Sequence, residues 1–218
     1  MLNATRLPPT TPRLMAVAPP AHPFWSALFG TDAPVEIEIG SADGSFLLAA
    51  ARRHPDRLFF GIERSRAKAR RLAVRIGAFG SPHVRCLHAD ATCVVRRLVP
   101  AGSVAVYHVY FPDPWPKRRH ARRRLFTPTL VAGLARTLHL GGRLHVATDV
   151  FGYGRLIRST VLADPRFEEL PLDPAHPGLE TAFARKYRRA GRALYTASFR
   201  RAGAQPPAAP ALSTIRSE

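Results

Sequence analysis

Short runs of consecutive apolar residues alternate along the middle of the chain with longer segments in which apolar residues recur at helical spacing. The runs predict six strands: VEIEI (35–39), LFFGI (58–62), VRCLH (84–88), SVAVYHVY (103–110), RLHVAT (143–148) and, in a hairpin-like end, LYTASF (194–199). Helices are predicted from Ser45 onward and over 65–79, 91–98, 127–138 and 151–163. Apolar strands that alternate with helices are typical of a mostly parallel sheet covered on both faces. We therefore predict an α/β fold with a doubly wound, Rossmann-like sheet.

Proline-rich sequence borders this pattern at both ends. Residues 1–22 and 202–218, the latter reading AGAQPPAAPALSTIRSE, have compositions typical of disordered tails. A single domain is predicted over residues 23–201, a length that suits one hydrophobic core. The chain has no run of 18 apolar residues and no signal-like segment, so we expect a cytoplasmic protein without a membrane partner. The sequence leaves open whether it is a monomer or a homodimer.

Basic residues outnumber acidic ones by 33 to 15, which gives a formal net charge of +18. This balance favours a polyanionic partner, because each phosphate neutralised by Lys or Arg releases condensed counterions. Nucleic acid is the predicted partner, although an Arg-rich genome composition would also raise the charge. The two cysteines, Cys86 and Cys93, and the nine histidines form no ligand pattern, so no metal site is expected.

Acidic and small residues follow the first three predicted strands. Glu38 precedes a loop from Gly40 to Gly44 in which small residues let a ligand approach the backbone. Glu63 follows nineteen residues after Gly44, where a carboxylate can accept hydrogen bonds from both ribose hydroxyls, and Asp90 follows the third strand. An acid before the loop suits the ammonium or sulfonium group of S-adenosylmethionine better than a pyrophosphate. The alternative for Glu38 and Asp90 is an ordinary strand-end carboxylate bonded to loop amides.

The most specific string follows the fourth predicted strand and reads FPDPWPKRRH (111–120), continuing as a basic run to Arg124. Prolines around Asp113 and Trp115 fix the backbone angles and exclude regular structure. The loop is therefore expected to present its side chains from a stiff frame at the ligand edge of the sheet. Trp115 either packs beneath this loop or stacks on a base.

This string resembles the bacterial tRNA (guanine-N(7)-)-methyltransferase family, which carries PDPWPK followed by a basic run at this point of its fold. The resemblance extends from about residue 35 to 200 and includes Glu38-Ile39-Gly40, Glu63, Asp90-Ala91, Gly141-Gly142, Thr148-Asp149 and Thr181-Ala182-Phe183. It implies a class I methyltransferase fold, S-adenosylmethionine as the cofactor, and transfer RNA as the substrate and partner. The cofactor contacts that it implies, beside the glycines of the loop, are Glu38, Glu63, Asp90 and Asp113, with Asp113 also catalytic. The substrate contacts that it implies are Lys117, Asp149 and the segment from Thr181 to Ala184, including Phe183.

The implied chemistry agrees with the residue types present. Guanine nitrogen 7 has a lone pair and no proton, so methyl transfer requires alignment and electrostatics but no base. A carboxylate such as Asp113 or Asp149 can stabilise the charge that moves to the ring, and Lys117 can hold a phosphate or the base carbonyl. Asp113 as a turn cap and Lys117 as a solvated side chain are the alternatives.

Two departures from the family pattern limit what carries over. Ala42 stands where the family usually has glycine, and Ala182 and Ala184 replace the polar residues of its T-K-F-E string. Either Glu180, Arg185 or Lys186 substitutes, or activity or substrate preference differs. An RNA-binding homologue without activity, or a methyltransferase acting on another RNA or on a protein, therefore remains an alternative.

Two basic clusters adjoin the predicted site. Six of the eight residues over 117–124 and five of the eight over 185–192 are Lys or Arg. Their position in the motif order favours contact with RNA over a solvated charged surface.

Overall fold

The computed structural model describes residues 22–203. The two predicted tails, 1–22 and 202–218, therefore lie outside the described residues except for residues 22, 202 and 203. The α-helices are α1 (Pro23–Phe29), α2 (Ser45–Arg53), α3 (Arg66–Phe79), α4 (Ala91–Arg97), α5 (Pro128–Thr137), α6 (Phe151–Leu162) and α7 (Ala182–Arg189), with 3₁₀ turns at Arg118–Arg123 and Pro177–Glu180. The strands are β1 (Val35–Ile39), β2 (Leu58–Glu63), β3 (Val84–His88), β4 (Val104–Tyr110), β5 (Leu138–Thr148), β6 (Phe167–Glu169) and β7 (Tyr195–Arg201).

All seven strands belong to one sheet in the order β3-β2-β1-β4-β5-β7-β6. The first five strands run parallel, whereas β7 is antiparallel to both β5 and β6. The strand order reverses between β1 and β4, and in open α/β sheets ligands bind outside the carboxyl ends of the strands at such a reversal. The predicted doubly wound, mostly parallel fold with a single domain is confirmed.

One face of the sheet is uniformly apolar. Val35, Ile37 and Ile39 of β1 point to this face together with Tyr107 and Val109 of β4, and α1, α4, α5 and α6 cover it. Every residue of β1 is buried, as expected for a central parallel strand that is covered on both sides.

The opposite face is apolar only under α2 and α3. There Phe46 and Leu47 pack on Phe59, and a Cβ at Gly61 would lie 2.7 Å from the Ser41 hydroxyl. Glycine at position 61 is therefore what lets the loop after β1 lie close against β2. Towards β4, β5 and β7 this face carries buried polar side chains, namely Glu36, Glu38, His108, His145 and Ser198.

Several elements differ from the sequence-based expectation. Helix α1 lies in the expected domain but was not predicted; its buried Trp25 donates a hydrogen bond from Nε1 to Ser103 Oγ over 3.0 Å. Strand β5 begins at Leu138, inside the segment predicted as the end of a helix. Ser65 stands at the predicted start of α3, yet its side chain makes no capping hydrogen bond. Among the described residues no helix has the length and apolarity that crossing a membrane requires.

Candidate functional site

The carboxyl ends of β1, β2, β4 and β5 meet at one edge of the sheet. Glu38 and Glu63 lie at these ends within β1 and β2, the loops after β1 and β4 carry Gly40, Gly44 and Asp113, and Asp149 follows β5. Asp90 lies at the end of β3, two strands away from β1 on the same edge. The structure thus brings the predicted carboxylates to one edge of the sheet, where a ligand crevice is expected, while their individual contacts with ligands remain predictions.

Glu38 is a buried carboxyl at this edge of the sheet that lacks a positively charged neighbour within the described part of the chain. Only 5% of it is exposed, and its Oε2 atom has no hydrogen-bond partner among the described residues. Burial, reinforced by the nearby charges of Asp43 and Glu63, raises the pKa of Glu38 to about 8. A buried carboxyl with an unpartnered oxygen and no positive neighbour is costly as an anion, so the position favours either a proton or an incoming cation.

The loop after β1 is held in a left-handed backbone conformation at three positions. Gly40 has φ +83° and Gly44 has φ +74°, and a Cβ at Gly44 would come within 2.2 Å of Leu72 Cδ1. Ala42 has φ +47°, a region that L-residues rarely adopt, which accounts physically for the glycine usual there in the family. This chain therefore tolerates local backbone strain where the loop turns towards α2.

Glu63 fastens this loop to the start of α3. Its Oε2 accepts a hydrogen bond from the Ala42 amide at 2.9 Å, and its Oε1 accepts one from the Ser65 amide at 2.7 Å. Each carboxylate oxygen has two lone pairs, so both oxygens retain capacity for a further donor. The geometry thus remains compatible with the predicted role of Glu63 at ribose hydroxyls.

Asp90 occupies the N-cap of α4 and accepts a hydrogen bond from the Cys93 amide at 3.1 Å through Oδ1. A capping role of this kind is the alternative considered from the sequence, and it leaves Oδ2 available for a ligand.

The loop that contains Asp113 is braced by its own basic run. Arg124 donates hydrogen bonds from its guanidinium to the backbone carbonyls of Pro114 and Trp115 at 3.1–3.2 Å. The guanidinium carbon of Arg123 lies 4.9 Å from the centroid of the half-buried Trp115 ring, whose residue has φ +40°. Asp113 is exposed on this braced loop. Two of the arginines predicted as phosphate contacts thus stabilise the loop itself.

Lys117, Arg119 and Arg122 are exposed beside this loop. Lys117 precedes the 3₁₀ turn Arg118–Arg123, and the two arginines lie within that turn. The exposure of Lys117 is compatible with its predicted role in holding substrate, which stays a prediction.

Residues predicted to contact substrate also come from α7. Thr181 is buried at the N-cap of this helix, where its hydroxyl accepts from the Ala184 amide and donates to the Gly178 carbonyl, both at 3.0 Å. This hydroxyl is thus engaged in local structure. Phe183 is 44% exposed, and its ring centroid lies 5.9 Å from that of Phe111 at the start of the Asp113 loop.

The two alanines of this segment differ in exposure, Ala182 being exposed and Ala184 fully buried. Of the neighbours considered as substitutes for the missing polar residues, Glu180 pairs with Arg53 of α2, and Arg185 donates to the Glu180 carbonyl. Lys186 is exposed.

Asp149 is also already engaged. Its Oδ2 accepts a hydrogen bond from Arg192 Nη1 at 2.7 Å, and only 13% of the Asp149 side chain is exposed. Neither Arg192 nor the neighbouring Tyr187 was singled out in the sequence, because their relation to Asp149 depends on how α7 folds back to the sheet edge.

A buried polar network beneath the crevice was likewise missed. Glu36 pairs with Arg57, and its Oε2 lies 2.7 Å from His108 Nε2, while His108 Nδ1 lies 2.7 Å from the Tyr110 hydroxyl. Burial opposes ionisation of Glu36, but the hydrogen bonds and charges of His108 and Arg57 outweigh it and lower its pKa to about 2. The signal in the sequence was the alternation of Glu36 and Glu38 with apolar residues in a strand expected to be buried.

Two further histidines extend this layer. His145 stacks on His108 with ring centroids 5.7 Å apart, and its Nδ1 lies 2.8 Å from Ser198 Oγ. Burial, together with the nearby charge of His108, lowers the pKa of His145 well below its usual value, and burial lowers the pKa of His176 to about 4. Both rings are therefore neutral near pH 7 and supply no cation to the crevice.

Comparison with known proteins agrees with this geometry. Residues 32–197 match a family model described as "Putative methyltransferase". The chain is 35% identical over 193 residues to a tRNA (guanine-N(7)-)-methyltransferase of Burkholderia cenocepacia, covering 87% of this chain and 76% of the relative. It is 38% identical over 181 residues to one of Leifsonia xyli subsp. xyli, covering 80% and 79%.

Solved structures support the fold alone. The 16S rRNA methyltransferase KamB superposes with a TM-score of 0.60 at 19% identity, over 82% of this chain and 93% of KamB. The [4+2]-cyclase SpnF superposes with a TM-score of 0.55 at 14% identity, over 81% of this chain and 78% of SpnF. Since a methyltransferase and a cyclase share this architecture, the reaction must be argued from the site.

Proposed function

This chain belongs to the tRNA (guanine-N(7)-)-methyltransferase family, and from that premise we propose that it transfers a methyl group from S-adenosylmethionine to nitrogen 7 of a guanine in transfer RNA. The observation that carries the proposal is the juxtaposition of Glu38, an isolated buried acid, with the braced loop that carries Asp113 at the reversal of strand order.

The crevice residues fit the proposed cofactor. The unpartnered Oε2 of Glu38 suits a cationic group, because ion pairing would compensate the cost of burying the carboxylate. Glu63 retains lone pairs for ribose hydroxyls, and the left-handed turns at Gly40 and Gly44 remove side chains from the backbone that a ligand would approach. When bound, S-adenosylmethionine supplies the electrophilic methyl group.

The remaining task of the protein is alignment and charge stabilisation. Asp113 lies on a loop fixed by prolines, by Arg124 and by the Phe111 amide, which donates to the Ala147 carbonyl at 2.7 Å. A carboxylate held in place before the reaction can stabilise positive charge that develops on the guanine ring without the cost of reorganisation. Lys117 is exposed on the same loop, and its proposed role is to hold a phosphate or the base carbonyl oxygen.

The partner proposed for the basic surface is transfer RNA. Arg119 and Arg122 beside the Asp113 loop, with Lys186 and Arg189 of α7, are exposed near the crevice and can neutralise phosphates on both sides of the target base. We propose that the protein acts in the cytoplasm, where transfer RNA is modified and used.

Methyl transfer to nitrogen 7 is tested by comparing a transfer RNA transcript with a matched transcript that lacks this nitrogen. The full chain is incubated with labelled S-adenosylmethionine and unmodified transfer RNA, followed by digestion and identification of the labelled nucleoside. Label is expected in 7-methylguanosine, and a matched transcript built with 7-deazaguanosine, which lacks only the accepting nitrogen, should take up none.

The other outcomes select the alternatives. Label in another nucleoside would refute this specificity, as would label in ribosomal RNA or protein alone when these are offered as acceptors in parallel reactions. Cofactor binding without label in any acceptor would identify an RNA-binding homologue, the role that Ala182 and Ala184 leave open.

A further inference from the structure

The guanidinium of Arg192 lies between an acid and an aromatic ring at the edge of the crevice. Its Nη1 is 2.7 Å from Asp149 Oδ2, and its central carbon is 5.2 Å from the centroid of the Tyr187 ring. The Arg192 side chain is nevertheless 58% exposed, whereas that of Asp149 is only 13% exposed. A planar, hydrogen-bond-donating group thus occupies a position that is open to solvent on one side.

Tyr187 packs against two other aromatic rings. Its centroid is 5.4 Å from that of Phe111 and 6.3 Å from that of Phe183, and the planes of Tyr187 and Phe183 are 28° apart. Phe111 begins the loop that carries Asp113, and Asp149 follows β5, the strand next to β4. The acid and the aromatic cluster therefore adjoin the proposed reaction centre.

The chemistry of this position matches one nucleobase. The edge of guanine that bears N1–H and the 2-amino group is itself a guanidine-like donor fragment, so it can replace an arginine guanidinium against a carboxylate and over an aromatic face. Adenine has an acceptor at nitrogen 1 and no 2-amino group, so it would set a lone pair against Asp149. Nitrogen 7 of guanine lies on the opposite side of the ring, where it would remain free to react.

We propose that Asp149 and Tyr187 form the subsite for the target guanine, and that Arg192 fills this subsite in the free protein as a latch that the base displaces. Asp149 accepts from the N1–H and the 2-amino group, and Tyr187 stacks on the base. This inference rests on the proposed function and deepens it by naming the groups that select guanine. Tyr187 and Arg192 are the residues that it adds.

The latch must be weak enough to open. An exposed ion pair and an exposed cation–π contact are both modest interactions. Removing the guanidinium should therefore strengthen binding of a guanine ligand on the order of threefold to tenfold, a range set by the energies of those two contacts.

Competitive binding of GMP and AMP, followed by saturation-transfer NMR in the presence of S-adenosylhomocysteine, tests the latch. The two nucleotides carry the same phosphate, so the ratio of their affinities cancels the general effect of removing a positive charge. Arg192→Ala should raise the preference for GMP over AMP by about threefold or more. Arg155→Ala, which removes a positive charge from the exposed surface of α6, should leave the preference unchanged.

The stacking role has its own pair of variants. Tyr187→Phe keeps the ring and should retain the affinity for GMP, whereas Tyr187→Ala should lower it, with thermal unfolding used to confirm that both variants fold. An unchanged or lowered preference for GMP in Arg192→Ala, or no preference in either protein, would overturn the inference. If the wild-type protein still produces 7-methylguanosine in transfer RNA, only the subsite assignment fails; if it produces none, the proposed function itself fails.

Discussion

Replacing Glu38 with glutamine removes one titratable group from the crevice while preserving its size and most of its shape. In the folded protein burial raises the pKa of this carboxyl from its usual 4.5 to about 8. An acid whose pKa is raised by folding binds its proton more tightly in the native state than in the unfolded state. Its contribution to stability is therefore complete below about pH 4.5 and is lost as the pH rises towards about 8.

The size of this effect follows from the two pKa values. Each tenfold difference in proton affinity corresponds to about 1.4 kcal/mol, so the loss between low pH and about pH 7 is about 3.3 kcal/mol. Of this, about 2.5 kcal/mol falls between about pH 5 and about pH 7. Glutamine is neutral throughout, so the Glu38→Gln protein should lack this part of the pH dependence. Near pH 7 it should be the more stable of the two when no ligand is present.

Urea unfolding of both proteins at a series of pH values measures the difference directly. Other groups that titrate, such as His176, contribute equally to both proteins and cancel in the comparison. The stability advantage of Glu38→Gln should grow with pH up to about 8 and should be accompanied by weaker binding of S-adenosylhomocysteine. If the difference in the free energy of unfolding between the two proteins stays constant within about 0.5 kcal/mol over this range, the pKa of Glu38 is not raised by its burial.

The remaining predictions concern the loops. Ala42→Gly should raise the free energy of unfolding by about 0.5 kcal/mol because it relieves the left-handed strain, and Ala42→Val should lower it; equal urea midpoints for the two variants would contradict this. Asp113→Asn should slow methyl transfer by about a hundredfold without changing the melting temperature, and turnover within about twofold of wild type would remove Asp113 from the mechanism. Replacing Arg119 and Arg122 together with alanine should reduce the slope of log K against log salt concentration for transfer RNA binding by about one to two. An unchanged slope would indicate that the phosphate contacts come from α7 instead.

The architecture was predictable because its signals are local. The strands from β1 to β4 appear in the sequence as short segments rich in apolar residues and match the structure within one residue at each end. The acids that follow these runs had to reach the same edge, because the carboxyl ends of parallel strands meet there. Fold and approximate site position therefore follow from periodicity and order along the chain.

The contacts made by the site residues could not be predicted in this way. Arg124 belongs to a run that reads as a phosphate-binding cluster, yet its guanidinium holds the carbonyls of the Asp113 loop. Thr181 lies in a motif associated with substrate, yet its hydroxyl caps a helix. Both contacts depend on the three-dimensional path of an irregular segment. The periodicity of the sequence does not predict that path.

The two glutamates of β1 provide the clearest physical argument for a cationic ligand. Glu36 and Glu38 lie on the same face of the same strand and are almost equally buried. Glu36 is ionised because Arg57 and His108 reach it, whereas Glu38 meets only Ser41 and two further acids, and its Oε2 is unpartnered. Burial alone cannot explain the difference, since it acts on both; the difference is a missing positive partner. We infer that Glu38, buried at the ligand edge of the sheet without a positive partner among the described residues, is available to ionise beside a cationic group that a ligand supplies.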